Sequence, residues 1–445
     1  MTEDPEVLPV PAVGIGILGL GVVGSGVARI LNEKRDRLDG MAGCPVRLEG
    51  VLVRDQEKDR DYLPSSDLIT DRIEDVLDNP KVNIVVELVG GQDAALDYIL
   101  KSISLGKHVV TANKEVMARN GPDILTLARK KGVQVMFEAS VGGGTPIISP
   151  LLRDLVANEV LSIHGIINGT TNYILTRMAK DGARFEDTLR EAQDLGFAEA
   201  DPTNDVEGTD AAYKLAILST LAFRARIRDT DVYREGITKL HPNDFVYARE
   251  LGYQVKLLAI ASNRDGAVQM RVHPVFVPED VMLAKVDGVL NAVEIETDLA
   301  GRVLFHGRGA GSMPTTSAVV ADIVDVARNL AGNVVPPPHF TLADNIRVVP
   351  ISELVTKYYL RLIVTDRPGV LAQITKVLGD LQISIASIIQ KETYETDQRA
   401  EIVLMTHESA ENAMQQAIGR LGELNVVNEV GSMVRVEEWG DGESE

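Results

Sequence analysis

The stretch GFAEADPTNDVEGTDAAYK, from Gly196 to Lys214, combines one lysine with several acidic side chains. Alanine and leucine follow it, so we predict a helix on which Asp210 and Lys214, four residues apart, share one face. Glu199 lies upstream in a loop from which it could fold over the same face. A lysine beside carboxylates suits proton transfer to a small charged substrate. The alternative is an exposed ion pair that contributes about 0.3–0.5 kcal/mol.

The start of this helix has two candidate caps. Asn204 or Asp205 is predicted to be the N-cap, because both side chains accept hydrogen bonds from free backbone N–H groups. Glu207 follows at a spacing that allows a capping box. These signals place the helix start before Glu207.

The composition excludes several classes of protein. The chain has 445 residues, 45% of them hydrophobic, which is enough for two or three domains with separate cores. A net charge of -20 and a pI near 4.9 argue against nucleic acid or an anionic membrane as a partner. The single cysteine, Cys44, excludes an internal disulfide framework. The acidic N-terminus does not resemble a signal peptide, and no apolar run could span a membrane, so we expect a cytoplasmic protein.

A dinucleotide-binding pattern begins at Val13. The segment VGIGILGLGVVGSGVARIL runs from an apolar strand through Gly19-x-Gly21-x-x-Gly24 into a helix. Gly19 is expected to make the tight turn, Gly21 to admit a pyrophosphate, and Gly24 to allow close packing of helix on strand. A glycine-rich turn without a ligand is the alternative. The predicted cofactor contacts in this loop are Gly19, Leu20, Gly21, Val22, Val23 and Gly24.

The second strand, VRLEGVLVRD, ends in Arg54 and Asp55, where the adenine ribose is usually bound. A carboxylate there accepts the 2′-hydroxyl of NAD, whereas a guanidinium pairs with the 2′-phosphate of NADP. The sequence offers both groups. Because Arg54 comes first, NADP is favoured over NAD.

Further strands, NIVVELV, HVVTANK and VQVMFEAS, alternate with helical segments. This alternation predicts an α/β fold with a parallel, doubly wound sheet in residues 1–150, a Rossmann-type dinucleotide-binding domain. Lys114 follows a strand at the carboxyl end of the sheet, where ligands of such sheets bind. A solvated loop lysine is the alternative for Lys114.

The middle of the chain departs from this pattern. After Glu138, three consecutive glycines form a loop with exposed carbonyl groups, suited to a cofactor or a cation. Residues 151–314 mix strands with long helices, which predicts an α+β catalytic domain with a largely antiparallel sheet that could also form a dimer interface. A second glycine loop, with Gly309 and Gly311, then enters a helix at about 315–331 that is expected to complete the first domain near the nicotinamide.

The C-terminal third begins with a proline-bearing segment, 332–356, that is interpreted as a linker. Residues 357–436 have a βαββαβ pattern, typical of a ferredoxin-like unit. The sequence DRPGVL, which contains Gly369, resembles the first turn of an ACT domain, a module that binds amino acids. The acidic tail, 437–445, is expected to be disordered.

Six motifs taken in order resemble homoserine dehydrogenase across about 330 residues. They are GLGVVGSGV, TANKE, EASVGGGTPII, NGTTNY, GFAEADPTNDVEGTDAAYKL and GRGAGSMPTTSAVV. The resemblance implies that Lys214 is the acid/base residue and that Glu199 and Asp210 bind the amino acid substrate. It places Gly19, Leu20, Gly21, Lys114, Gly196 and Gly311 at or near the cofactor. It also implies a monovalent cation, Na⁺ or K⁺, at Glu138 with the carbonyl groups of Val141, Gly143 and Thr145.

The expected reaction is reduction of L-aspartate 4-semialdehyde to L-homoserine with hydride from NADPH or NADH, in the biosynthesis of threonine, methionine and isoleucine. L-Threonine is the expected inhibitor at the ACT domain, and a homodimer or homotetramer the expected assembly. A phosphorylating semialdehyde dehydrogenase is a rival, but it needs a thiol nucleophile, and Cys44 lies in an early loop. A non-catalytic sensor of redox state and amino acid level is the other rival.

Overall fold

The computed structural model describes residues 11–334, 341–344, 346–391 and 398–439. These residues form two compact units. The first contains residues 11–157, 216–229 and 307–344, and the second contains residues 158–215, 230–306 and 346–439. In the part of the chain that is described, no helix is long and apolar enough to cross a membrane.

The first unit is built on a six-stranded sheet in which every paired strand is parallel. Its strands are β1 (Val13–Leu18), β2 (Val46–Leu52), β3 (Ile69–Thr70), β4 (Val82–Glu87), β5 (His108–Thr111) and β6 (Val135–Met136). They are ordered β3-β2-β1-β4-β5-β6, so β2 and β3 are added on one side of β1, and β4, β5 and β6 on its other side. The helices between them are α1 (Val22–Glu33), α2 (Arg35–Ala42), α3 (Ile73–Leu77), α4 (Asp93–Ser104) and α5 (Lys114–Lys131). The predicted doubly wound α/β fold is confirmed.

The N-terminal part of the second unit combines helices with a sheet whose long strands pair antiparallel. Its helices are α6 (Gly169–Asp181), α7 (Phe185–Asp194), α8 (Thr203–Val206), α9 (Thr209–Ala222) and α10 (Pro242–Glu250). Its strands are β7 (Val160–Ile166), β8 (Tyr233–Arg234), β9 (Tyr253–Arg264), β10 (Ala267–Pro278), β11 (Leu290–Thr297) and β12 (Gly301–Arg308). The last residues of α9, from 216 on, and of β12, from 307 on, belong to the first unit. The predicted α+β mixture with an antiparallel sheet is therefore present.

The start of α9 differs from the prediction. Asn204 and Asp205 lie inside the short helix α8, which begins after Pro202, and α9 starts only at Thr209. Gly208 separates the two helices, because its φ of +77° is left-handed and interrupts a right-handed helix. Glycine suits this position, since a residue with a side chain would be strained there. The predicted N-cap at Asn204 or Asp205, with its capping box, is wrong.

The chain then enters α11 (Ser312–Ala331), which belongs to the first unit. Its apolar face, with Val319, Ile323 and Val326, packs into the same core as Ile15 and Val27 of the parallel sheet and α1. The helix therefore supplies hydrophobic surface to a sheet that lies almost 300 residues upstream in the sequence.

The C-terminal segment completes the second unit with the predicted βαββαβ order. Its elements are β13 (Arg347–Val348), β14 (Val355–Thr365), α12 (Val370–Asp380), β15 (Ile385–Lys391), β16 (Arg399–Thr406), β17 (Ser409–Ala410), α13 (Glu411–Gly422) and β18 (Val427–Val436). Both helices pack on one side of the sheet around a core that includes Leu360, Ile374 and Leu404. The consecutive prolines of the predicted linker and the last six residues of the predicted tail lie outside the described residues.

The βαββαβ module is not separate from the antiparallel sheet. Strand β18 pairs parallel with β10, with Val275 opposite Arg435 and Phe276 opposite Val436. One continuous sheet therefore runs β12-β11-β7-β9-β10-β18-β14-β16-β15. This pairing, over two residue pairs, joins the two halves of the unit through their main chains.

His273 gives the second unit a testable pH dependence. Its ring is 0% exposed in β10. Burial, together with the charges of Arg435 and Arg271, lowers the pKa of His273 to about 3, so the folded protein holds this imidazole neutral. The unfolded chain takes up a proton near the ordinary pKa of about 6.5, and stability is therefore lost as the pH falls from there toward 3.

We expect the unfolding free energy of the second unit to fall by roughly 2 kcal/mol between pH 6.5 and pH 5 through His273 alone. Denaturant unfolding followed by the fluorescence of Trp439, the single tryptophan, measures this change. His273→Gln, which cannot be protonated, should show a correspondingly shallower pH dependence. Equal slopes for wild type and variant would mean that the imidazole is already protonated in the folded protein.

Candidate active site

The glycine loop of the first unit has the geometry of a ligand cradle. Gly19 has a φ of +97°, and a Cβ there would lie 2.6 Å from the Leu88 carbonyl oxygen. A Cβ on Gly24 would lie 2.1 Å from the Gly19 oxygen, so both glycines are required by the protein itself. A Cβ on Gly21, by contrast, would meet nothing within 4 Å. Gly21 begins α1 and is exposed together with Val22, which is 64% exposed, so this face of the loop is open to a ligand.

Two arginines lie close to the end of β2. Arg54 is exposed two residues after the strand, as the sequence predicts, and Asp55 accepts a hydrogen bond from the Glu57 N–H (2.9 Å). Arg60 was missed by the sequence reasoning. Its guanidinium donates to the carbonyl oxygens of Leu20 (3.1 Å) and Asp55, and so connects the glycine loop to the segment after β2. Nothing in the spacing of the sequence marks this contact.

The side chains at the carboxyl ends of β4 and β5, Glu87 and Thr111, are hydrogen-bonded to each other. The buried Glu87 carboxylate accepts from the Thr111 hydroxyl (2.6 Å) and the Val89 N–H (2.9 Å). Burial raises the pKa of Glu87, against the effect of these hydrogen bonds. Asn113 caps α5 by accepting from the Val116 N–H (3.1 Å). Lys114 is therefore placed at the first turn of a helix at the ligand-binding edge of the sheet.

The glycine loop after Glu138 is held by its own backbone. Both oxygens of the Glu138 carboxylate accept backbone N–H groups, from Ile147 (2.7 Å), Ile148 (2.9 Å) and Ser149 (2.6 Å). Burial, followed by the charge of Glu138, raises the pKa of Asp322 well above its ordinary value. The Glu138 N–H donates to Asp322 (2.9 Å).

Close packing explains the glycines that follow Glu138. Gly143 adopts a φ of +53°, and a Cβ there would lie 2.5 Å from the Gly309 carbonyl oxygen. A Cβ on Gly307 would lie 2.6 Å from the Thr145 hydroxyl. The two glycine loops of the first unit are thus packed backbone against backbone, and Gly311, at φ +124°, begins α11.

A second cluster, in the second unit, surrounds Lys214. Its ammonium group donates to the Asp210 carboxylate (2.8 Å) and to the Ile167 carbonyl oxygen (2.7 Å). The Lys214 side chain is only 10% exposed and the Asp210 side chain 3% exposed. The interpretation of this pair as an exposed surface ion pair is therefore wrong. Burying two charges costs several kcal/mol per ion, which the hydrogen bonds of the pair offset in part.

Two further side chains complete this cluster. The Asn168 amide donates to Asp210 (2.8 Å) and to Asp205 (2.7 Å). We refer to Asn168, Asp205, Asp210 and Lys214 as the lysine cluster. Sequence reasoning found Asp210 and Lys214 from their helical spacing, but it assigned Asp205 to a cap and gave Asn168 no role.

Glu199 and Gly196 lie in the loop that follows α7. Gly196 adopts a φ of +73° and Glu199 is exposed. The loop is fastened by Gln193, which donates to the Glu199 carbonyl oxygen (3.1 Å), and by Thr170, which donates to that of Phe197 (2.7 Å). The Thr170 contact ties the loop to the first turn of α6, immediately after Asn168 of the lysine cluster.

The glycine cradle at the start of α1 is typical of dinucleotide binding, and a buried lysine among carboxylates is typical of acid/base catalysis, two features expected of a dinucleotide-dependent oxidoreductase. Family models agree. Residues 19–138 match the model described as homoserine dehydrogenase, NAD binding domain. Residues 146–324 match homoserine dehydrogenase and residues 358–425 match the ACT domain.

Individual proteins give the same result. The chain is 42% identical over 434 residues to the homoserine dehydrogenase of Neisseria gonorrhoeae, a match that covers 96% of this chain and 99% of that protein. The crystal structure of a homoserine dehydrogenase from Thiobacillus denitrificans superposes with a TM-score of 0.90 at 43% identity and covers 97% of this chain and 100% of its own. A hyperthermophilic archaeal homoserine dehydrogenase in complex with NADPH matches with a TM-score of 0.59 at 27% identity, over 71% of this chain and 98% of its own.

The chain therefore belongs to the homoserine dehydrogenase family, and its activity is that of a homoserine dehydrogenase. The predicted family, enzyme class and ACT domain are confirmed.

Proposed function

We propose that this enzyme reduces L-aspartate 4-semialdehyde to L-homoserine in the biosynthesis of threonine, methionine and isoleucine, and that Lys214 is its acid/base residue. The observation that carries this proposal is the burial of Lys214 between the Asp210 carboxylate and the Ile167 carbonyl oxygen. A buried ammonium group held by two acceptors is positioned to give a proton to a carbonyl oxygen. A loop lysine in water would have no fixed direction.

The proton transfer balances the hydride transfer. The aldehyde carbon receives a hydride from the reduced nicotinamide, which is the chemistry that the cofactor supplies when bound. The carbonyl oxygen then receives a proton from the Lys214 ammonium group, which becomes neutral and is reprotonated from solvent. Asp210 and Glu199 hold the substrate's ammonium group, so that the aldehyde has one orientation relative to Lys214.

Homoserine oxidation, followed by nicotinamide absorbance with NAD and with NADP side by side, tests this proposal. Oxidation of homoserine with either cofactor is the expected result, and it eliminates the non-catalytic sensor. Purified, folded protein that oxidises homoserine with neither cofactor would contradict the proposal.

For the cofactor, we propose NADP or NAD, with NADP favoured, in the cradle of Gly19, Leu20, Gly21, Val22, Val23 and Gly24. The residues fit the group, since the open space at Gly21 has no explanation in the packing of the protein and admits a pyrophosphate. Arg54 would pair with the 2′-phosphate of NADP. Lys114 and Gly311 of the first unit and Gly196 of the second are further proposed cofactor contacts.

Arg54→Ala should weaken NADP binding by roughly tenfold or more, since a charge-assisted hydrogen bond contributes about 1.5–3 kcal/mol, and should leave NAD binding within about twofold. Dissociation constants for both cofactors measure this difference. Arg72→Ala is a matched control, because Arg72 is another exposed arginine of the first unit. Equal losses for NADP and NAD would show that Arg54 has a structural role and that another residue binds the ribose.

We also propose a monovalent cation, Na⁺ or K⁺, at Glu138, Val141, Gly143 and Thr145. In the described residues, no group of three or more His, Cys, Asp or Glu side chains is arranged to hold a metal ion. The Glu138 carboxylate is already occupied by backbone N–H groups. The ligands would therefore be main-chain carbonyl groups, which suit a hard cation.

For regulation, we propose that L-threonine binds the ACT module and inhibits the enzyme. Gly369 precedes α12 at φ +86°, so the first N–H groups of the helix are presented without a side chain in front of them. The shared sheet between β10 and β18 offers a direct physical connection to the catalytic part of the second unit. We further propose a homodimer or homotetramer located in the cytoplasm.

Threonine should inhibit homoserine oxidation by roughly 5- to 150-fold at saturation, the range of about 1–3 kcal/mol of coupling. Gly369→Ala should remove much of this inhibition, because a side chain strains the left-handed backbone at that position. Gly379→Ala is the matched control, since Gly379 lies within the same helix with open space around it and no positive φ. If millimolar threonine does not inhibit the wild-type enzyme, the regulatory proposal is contradicted, while the proposed reaction is unaffected.

A further inference from the structure

Asn168 connects two parts of the lysine cluster. It follows β7 and is the N-cap of α6, where its Oδ1 accepts from the Thr171 N–H (2.9 Å) and the Thr171 hydroxyl (2.9 Å). Its Nδ2 donates to Asp205 (2.7 Å) and Asp210 (2.8 Å). The residue is buried, and every one of these contacts lies within the second unit.

The cap determines which way the amide points. An N-cap side chain must offer an acceptor to the helix N–H groups, so the oxygen of Asn168 faces Thr171. The nitrogen then faces the carboxylates, and its two N–H groups match two acceptors. Aspartate or serine would also cap α6, but neither can donate to Asp205 and Asp210 together.

The charges of the lysine cluster show why this donor matters. Asp205 and Asp210 each have an oxygen within hydrogen-bond distance of one nitrogen atom, close enough for their negative charges to repel. Lys214 supplies one formal positive charge against the two formal negative charges of Asp205 and Asp210, which leaves a formal net charge of -1. A substrate that carries an ammonium group would complete the neutralisation.

We propose that Asn168 is a positioning residue that holds the Asp205 and Asp210 carboxylates at a fixed separation, so that together they receive the substrate's ammonium group. This inference rests on the proposed role of Lys214 and Asp210 in substrate binding, and it adds Asp205 to the substrate contacts. Asn168 also sets the position of the Asp210 oxygen that accepts from Lys214, because both donors use the same atom.

Asn168→Ser and Asn168→Asp separate positioning from capping. Both should retain the helix cap, so any fall in the unfolding midpoint should come from the lost donor to the two carboxylates and not from the start of α6. Both should raise the KM for homoserine about tenfold or more at pH 8, with the KM for NADP unchanged, because the donor to the two carboxylates is lost. Asn168→Asp places a third carboxylate against Asp205, Asp210 and Lys214. In this variant the increase in the KM for homoserine should become smaller as the pH is lowered toward 6, because a proton shared among the carboxylates then takes the place of the lost amide N–H.

Asn172→Ser is the matched control. Asn172 lies one turn further along α6 and donates to the carbonyl oxygens of Val286, Gly288 and Leu290, but to no carboxylate. It should lose stability without a pH-dependent change in the KM for homoserine. If Asn168→Ser and Asn168→Asp keep that KM within twofold of wild type at every pH, Asn168 is only a cap and the inference is overturned. Lys214→Ala distinguishes this outcome from failure of the proposed function, since full activity in that variant would remove the site itself.

Discussion

Lys214→Ala should lower kcat by roughly 10²- to 10⁴-fold in both reaction directions while the dissociation constant of NADP stays near that of wild type. The variant removes the proton donor and leaves the cradle of Gly19, Gly21 and Gly24 unchanged, because that cradle belongs to the first unit. Steady-state kinetics with homoserine, together with equilibrium binding of NADP, measure the two quantities separately.

The second unit contains a closely matched control for Lys214. Lys256 is also a buried lysine that donates to one carbonyl oxygen, that of Val286 (2.6 Å), and to one aspartate, Asp287 (3.1 Å). Lys256→Ala should reduce stability, since it removes a buried ammonium group together with its two hydrogen bonds, but should change kcat by less than about tenfold. Similar kcat losses in the two variants would mean that removing a buried ammonium group disturbs the unit generally, and Lys214 would then lose its assignment as proton donor.

Glu199→Gln separates substrate binding from proton transfer in the same assay. The exposed carboxylate is proposed to hold the substrate's ammonium group, so its loss should raise the KM for homoserine and leave kcat nearly unchanged. No change in either parameter would remove Glu199 from the substrate site.

The parallel sheet and its glycine turn could be predicted because their signals are local. The strand residues Val13–Leu18 and the glycines at positions 19, 21 and 24 lie within twelve consecutive residues, and the steric demand on Gly24, which comes from the Gly19 oxygen, arises inside that same segment. Asp210 and Lys214 could be paired for the same reason, since helical periodicity connects residues four apart.

Asn168 could not be found in this way. It is 42 residues from Asp210 and 37 from Asp205, and its role depends on how α6, α8 and α9 meet in space. The motif NGTTNY shows the cap of α6 but not the carboxylates on the other side of the amide. The predicted start of α9 was wrong although its signals are local. Asn204 and Asp205 are residue types that commonly cap helices, but Gly208 interrupts the helix after them.

The junction between β10 and β18 is a further non-local feature. The sequence predicts strands in both regions, but 160 residues separate their paired positions, and a strand pattern does not specify its partner. The side chains at this junction are also unusual for a sheet interior. The Arg435 guanidinium donates to Glu411 (2.6 and 2.7 Å) and to Glu235 (2.9 Å from each of two nitrogens), and thereby connects the ACT module to the segment after β8.

Arg435→Ala should destabilise the second unit by about 3–5 kcal/mol, the effect of leaving a buried charge without its partner. Arg435 is only 1% exposed and Glu411 is buried beside it, so water does not readily replace the contacts that Glu411 loses. Burial alone would raise the pKa of Glu235, but the Arg435 guanidinium more than offsets it and lowers that pKa to about 2. Denaturant unfolding at neutral pH, followed by Trp439 fluorescence, gives the change directly, since Trp439 donates to Glu294 of the catalytic sheet (2.7 Å) only three residues after β18.

The combination Arg435→Met, Glu411→Gln and Glu235→Gln is the control for this experiment. It removes all three charges and keeps similar volumes, and buried ion pairs replaced in this way often lose little stability. We therefore expect the triple variant to be more stable than Arg435→Ala, and a triple variant that is equally unstable would show that packing of the long arginine side chain, rather than charge, holds the junction together. If charge is decisive, deletion of the ACT module would leave Glu235 without the Arg435 guanidinium, and it would leave strand β10 without its partner strand β18 at Phe276.

Inhibition by threonine is then better tested by single substitutions such as Gly369→Ala, which leave this ion cluster in place.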